Sequence, residues 1–232
     1  KRDRPRSRNR EEIFMTDHWM DEEKPIGRVL RAATPGFVIG CQVGQLSEPS
    51  FGCLVKAQPV GGREAIYGLI YNMDVADDPL VRRLILAESP REEVINDQRQ
   101  NRLLPIEMSV LAVGYCANDR FYHGLPPRPP LNLDPVYLCR DAAELTRFTG
   151  RLGYLRLILR AVDMGVPVDQ LLVAHVQDVY RLRGYDVNWA TAVINEVIEL
   201  LRSDYETLVP VLEALGEALP GLGDAPDTMG GF

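Results

Sequence analysis

Between Ile26 and about Val75, apolar and polar residues alternate in short runs: Ile26–Ala32, Gly36–Val43, Phe51–Ala57 and Ala65–Met73. Runs of this length, rich in Val, Ile, Phe and Tyr, predict strands whose side chains point alternately to two faces. Thr34-Pro35-Gly36, Ser47-Glu48-Pro49-Ser50 and Gly61-Gly62 supply the turns between them. A further run, Pro105–Cys116, passes through Ala117-Asn118-Asp119 into Phe121–His123, the pattern of a hairpin. Several short strands joined by tight turns predict a small closed barrel, the arrangement that leaves no sheet edge open.

The period changes in two places. Pro79–Ala87 is apolar on one face, and Ser89-Pro90-Arg91-Glu92-Glu93 reads as a helix start, with Ser89 as N-cap, Pro90 at the first helical position and acids in the first turn. The resulting helix, running to about Asn101, has only Val94 and Ile95 as strong apolar residues and is expected on the surface. Beyond Pro126-Pro127-Arg128-Pro129-Pro130, a stiff extended connector, and a short strand Val136–Cys139, the pattern turns helical. Asp141 with Glu144 three residues on forms a capping box, opening a helix to Phe148 or, through Gly150, to Val162. Val168–Arg183 follows. In Asn188–Arg202, Ala190, Val193, Ile194, Val197, Ile198 and Leu201 form one stripe; a last helix lines up Leu208, Val211, Leu212, Leu215 and Leu219.

The predicted fold class is therefore α+β. A small N-terminal β-barrel spans 25–125 with a helical insertion at 79–101, a Pro-rich linker covers 126–140, and an all-α helical bundle covers 141–219. Residues 1–24 are expected to be a disordered basic arm, with a natural start at Met15 or Met20, and 220–232 a disordered tail rich in Gly, Pro and Asp.

Charge sharpens this division. The 232 residues carry a formal −7, yet positions 1–10 alone carry +5, so the remainder stands at −12. A general duplex-coating role does not fit that balance. Of the 26 basic residues only Lys1, Lys24 and Lys56 are lysines, and no GxxxxGK[ST] loop occurs to cradle nucleotide phosphates. Cys41, Cys53, Cys116 and Cys139 include no CxxC pair and read as small buried thiols. His18, His123 and His175 lack metal-ligand spacing; His175, among Leu171, Leu172, Val176 and Val179, reads as a buried, hydrogen-bonded histidine. No serine sits in a GxSxG elbow, and no uncharged apolar run is long enough to span a bilayer. The expectation is a cytoplasmic protein with reduced thiols and no cofactor.

Ile26-Gly27-Arg28-Val29, Phe37-Val38-Ile39, Phe51-Gly52-Cys53-Leu54-Val55 and Tyr67-Gly68-Leu69-Ile70 resemble the opening of the HAS-barrel, the small barrel shared by HerA-type DNA-translocating ATPases and ATP synthase subunits. Leu125 to Val136 resembles the proline-rich exit from that barrel in HerA proteins, and the resemblance covers about 110 residues. Here the exit leads into helices rather than a P-loop core, a layout similar to that of stand-alone HAS-barrel proteins of cyanobacteria. The resemblance implies a role in assembly and partner docking and carries over no catalytic residue.

Three functions compete. The first is a non-enzymatic interaction or assembly protein that docks on a protein partner, such as a motor ATPase or a nuclease of DNA processing, with oligomerisation a further expectation. The second is a metal-dependent phosphodiesterase or nuclease, in which Asp74, Asp77, Asp78 and Glu107 near strand ends would supply oxygen ligands for Mg²⁺. The solvated-cap reading competes with it, since Asp77 and Asp78 precede a predicted helix N-terminus. The third is nucleic-acid binding through the barrel face, with Tyr67, Tyr71, Phe121 and Tyr122 as stacking surfaces and Arg63, Arg120 and Arg128 as charges. Against it, alternating aromatics also serve as barrel core.

Overall fold

The computed structural model of the chain describes residues 24–41, 48–59, 61–62, 64–75, 77, 79–87, 91–100 and 106–220. The expected N-terminal arm and most of the C-terminal tail lie outside these residues, as do Arg63 and Asp78. Seven strands form: β1 (Gly27–Ala33), β2 (Gly36–Cys41), β3 (Leu54–Ala57), β4 (Glu64–Asp74), β5 (Ile106–Ala117), β6 (Arg120–Tyr122) and β7 (Pro135–Leu138). Their order is β2-β1-β7-β3-β4-β5-β6, and an additional β2–β5 pairing, Cys41↔Ile106 through Gly36↔Leu111, closes the first six into a barrel. The fold is α+β, a closed six-stranded barrel followed by helices.

Alternation builds two separate apolar layers. Val29, Ile39, Val55, Ile66, Ile70, Met108, Val110, Val136 and Leu138 belong to the barrel's own core. Their sequence neighbours Leu54, Tyr67, Leu69, Leu111 and Val113 point outward and join a second core with the helices. A register shift in the β4–β5 pairing, where Tyr67↔Gly114 is followed by Gly68↔Ala112, leaves Val113 unpaired and sends it outward.

The insertion contains α1 (Pro79–Ile85) and α2 (Glu92–Gln100). The proposed Ser89 and Pro90 cap lies outside the described residues. After the barrel come α3 (Ala142–Thr149), α4 (Leu155–Leu159), a single 3-10 turn at Val162–Met164, α5 (Val168–Leu182), α6 (Val187–Leu201) and α7 (Tyr205–Ala218). Helix α5 is central, packing against α3, α4, α6 and α7. The longer reading of the first helix fails, because the chain leaves α3 at Gly150 and restarts at Leu155.

One boundary is corrected. Residues 126–140 do not form a linker throughout, since β7 lies between β1 and β3, with Gly27↔Val136 and Val55↔Leu138 in register. The barrel needs this strand to close, and the shared outer core leaves no separation between barrel and helices. Among the described residues, no helix is long and apolar enough to cross a membrane.

Candidate functional site

Two polar clusters tie the helices to the barrel. In the first, His175 on α5 is fully buried, with Nδ1 at 3.1 Å from the Gly52 carbonyl and Nε2 at 3.0 Å from the Tyr154 hydroxyl. A carbonyl only accepts, so Nδ1 carries the proton and donates, while Nε2 accepts from Tyr154. The imidazole is thus neutral, and burial lowers its pKa from 6.5 to about 4. Gly52, at φ +85°, permits this approach: a Cβ there would come within 2.8 Å of the Ala174 Cβ and the His175 backbone nitrogen.

In the second cluster, Lys56 on β3 donates to both Glu144 carboxylate oxygens at 2.9 and 2.8 Å, and the Tyr67 hydroxyl donates to Oε1 of the same group. Asp141 does cap α3, accepting from the Glu144 N–H at 2.6 Å. The Glu144 carboxylate turns to the barrel instead of completing the capping box. Burial, reinforced by the hydrogen bond to Glu144, pushes the Tyr67 phenol well above its ordinary value. The phenol is thereby held neutral, a donor to the carboxylate rather than a proton acceptor. These residues line a shallow cleft of about 230 Å³ together with Gln58, Cys116 and Asn118.

The acidic residues separate. Asp74 and Glu107 are cross-strand partners on β4 and β5, but Glu107 is engaged by Arg31 at 2.7 Å. Asp77 pairs with Arg82. Among the described residues, no group of three or more His, Cys, Asp or Glu is placed to hold a metal ion.

The nucleic-acid candidates divide by face. Tyr67 and Phe121 join the outer core, packed edge to face at 5.5 Å, and Tyr71 packs partly buried against the same core. Tyr122 instead stacks on its cross-strand partner Tyr115, with centroids 4.9 Å apart and planes at 13°. Arg120 and Arg128 are exposed.

Sequence reasoning missed one feature of the barrel surface. Residues 131–134 form a clamped loop: the Asp134 carboxylate accepts from the Leu131 N–H at 2.7 Å, Leu133 N–H donates to Val29 O at 2.8 Å, and Asn132 Nδ2 donates to Leu30 O at 2.6 Å. The loop presents Leu131, 70% exposed, and Leu133, 68% exposed, with Leu133 at φ +71°. A bulky residue in the left-handed region is strained, and no sequence signal marks it: the Asn that favours such a conformation stands one position earlier. Val75, just after β4, and Ile85, Leu86 and Val94 of the insertion are also exposed.

No protein-family model matches the chain, and no curated protein matches it.

Proposed function

We propose that this is a non-enzymatic assembly or adaptor protein on a HAS-type barrel, docking on a protein partner through the barrel wall that its own helices leave uncovered. The observation that carries this reading is the clamped loop: two leucines held in solvent, one in a conformation that a glycine would adopt without strain. Six hydrogen bonds fix the loop to β1 and to itself, so the leucines stand as a preorganised apolar knob. The chemistry of both junction clusters supports the same reading, since their polar groups are spent on holding helix to barrel. By the resemblance of the barrel strands, the partner class is a DNA-processing ATPase or nuclease, and the cytoplasm is the compartment.

The test places a photo-crosslinking amino acid at position 131 of the full chain in its native cells. One partner should crosslink there and co-purify with the unmodified chain at fixed stoichiometry. Leu131→Ser with Leu133→Ser should abolish that complex while leaving the unfolding transition in place. Retention of the complex by the double variant, or crosslinks only within the chain, overturns the proposal.

A further inference from the structure

The barrel rim on the β6 side carries a second arrangement, independent of the leucine loop. Strand β2 pairs with β5 only as far as Leu111, and β6 occupies the same edge of β5 from Tyr115 to Ala117. Side chains of the barrel's inward-facing set continue past the rim here. Tyr115 is the cross-strand partner of buried Ile66, and Tyr122 lies beyond it, stacked on Tyr115 and 42% exposed. Arg120 is two residues from Tyr122 on the same strand, hence on the same face. Arg156, on α4, reaches the end of the strand, donating to His123 O at 3.2 Å.

Charge distinguishes this rim from the rest of an acidic chain. Residues 119–160 contain seven arginines and four carboxylates. Each carboxylate is engaged: Asp119 by Arg147, Asp134 by the Leu131 N–H, Asp141 by the α3 N-terminus and Glu144 by Lys56. Neither Arg120 nor Arg156 forms an ion pair with a described residue. An exposed ring in a parallel stack, with the Arg120 guanidinium on its own face and that of Arg156 at the end of its strand, matches the chemistry of an unstacked base and its phosphates. The two-residue hairpin turn at Asn118-Asp119, with φ 50° and 60°, fixes the position of β6 and therefore of the ring.

We propose that the β5–β6 rim binds single-stranded nucleic acid, a base stacking on Tyr122 and phosphates meeting Arg120 and Arg156. The site is small, a few nucleotides, and duplex does not fit it because a paired base cannot present its face to Tyr122.

Fluorescence anisotropy of a labelled twelve-nucleotide oligothymidylate, titrated with the full chain across a salt series, tests the assignment. Binding should appear at low salt, with a log–log salt slope of about −1.4 from two phosphate contacts. Tyr122→Ala should weaken it roughly tenfold or more, Tyr122→Trp should retain it, and Arg156→Ala should make the slope shallower by about 0.7. Arg202→Ala, on the distant α6 surface, is the control and should leave binding unchanged. Absence of binding at low salt, equal affinity for duplex, equal loss in Arg202→Ala, or binding of a phosphorylated peptide in place of the oligonucleotide overturns it. Failure here leaves the leucine-loop proposal standing, because no residue is shared.

Discussion

Acid should destabilise this protein through one identifiable residue. His175 is neutral and fully buried, its pKa lowered to about 4 from an ordinary 6.5 by burial. Between these values the unfolded chain binds a proton that the folded chain refuses, so stability falls as pH drops below about 6.5 and the loss is complete below about 4. At roughly 1.4 kcal/mol per pKa unit, the contribution lost is about 2 kcal/mol at pH 5 and about 3 kcal/mol near pH 4. Against a domain stability of about 5–15 kcal/mol this is a large fraction.

Urea unfolding followed by circular dichroism at pH 7.5, 6 and 5 measures the effect. The comparison is with His175→Gln, whose amide can donate towards Gly52 O and accept from Tyr154 without titrating. Carboxylates and His123 titrate in both proteins and cancel in the difference. The wild type should lose about 2 kcal/mol more than the variant between pH 7.5 and pH 5. Equal losses in the two proteins would refute the linkage and with it the neutral, buried assignment of His175.

Other outcomes follow from the same contacts. Glu144→Ala should cost about 2 kcal/mol or more in urea unfolding, because it removes the carboxylate that Lys56 faces where the lysine side chain is only 15% exposed; Lys56→Met combined with Glu144→Leu should cost less than that single change. Leu133→Gly should not lower stability and should raise Tm slightly, since relief of a left-handed backbone worth about 1 kcal/mol offsets the added freedom of the unfolded chain. Gly52→Ala should cost more than about 1 kcal/mol and weaken the pH dependence assigned to His175, because its Cβ would push α5 off the barrel.

Much of the fold is legible where side chains obey a single period. The long strands β4 and β5, whose residues face a core on both sides, and helices α5 to α7 follow the apolar pattern to within a residue or two. The Asn118-Asp119 turn announced its hairpin, and the leucines and valines around His175 announced its burial. What stayed hidden depends on pairings distant in sequence. Four residues, Pro135–Leu138, carry no local sign that they close a barrel between β1 and β3. The capping box was half right, because a carboxylate facing a lysine 88 residues away in sequence gains more than one facing its own helix terminus. Trp189 fell outside the predicted α6 stripe yet is buried, its indole N–H donating to Thr149 O at 2.9 Å, while Ile198 of that stripe is exposed. Of the site candidates, Tyr122 and Arg120 come together on one strand; Asp74 and Glu107 meet only as a cross-strand pair, with Arg31 already on the glutamate.

The two proposed surfaces follow from which wall of the barrel the helices had to cover. Outward positions on β3, β4 and β5 include Leu54, Leu69, Leu111 and Val113, an apolar wall that water would penalise at roughly 25 cal/mol per Å². Helices α3, α4 and α5 cover that wall, and Lys56–Glu144 with His175–Gly52 fixes them there. Outward positions on β1 include exposed Arg28, which needs no cover and donates to Leu133 O at 2.8 Å, bracing the leucine loop on that side. The β5–β6 hairpin runs past both walls, which is why its aromatic pair ends at a rim. A substitution that loosens the helices, such as Glu144→Ala, should therefore leave the leucine loop's hydrogen bonds to β1 in place while disturbing the rim, whose Arg156 is carried on α4. Amide hydrogen exchange in that variant should rise at Arg120 and Tyr122, paired with β5, well before it rises at Leu131 and Leu133, and a simultaneous rise would show that the two surfaces are one cooperative unit.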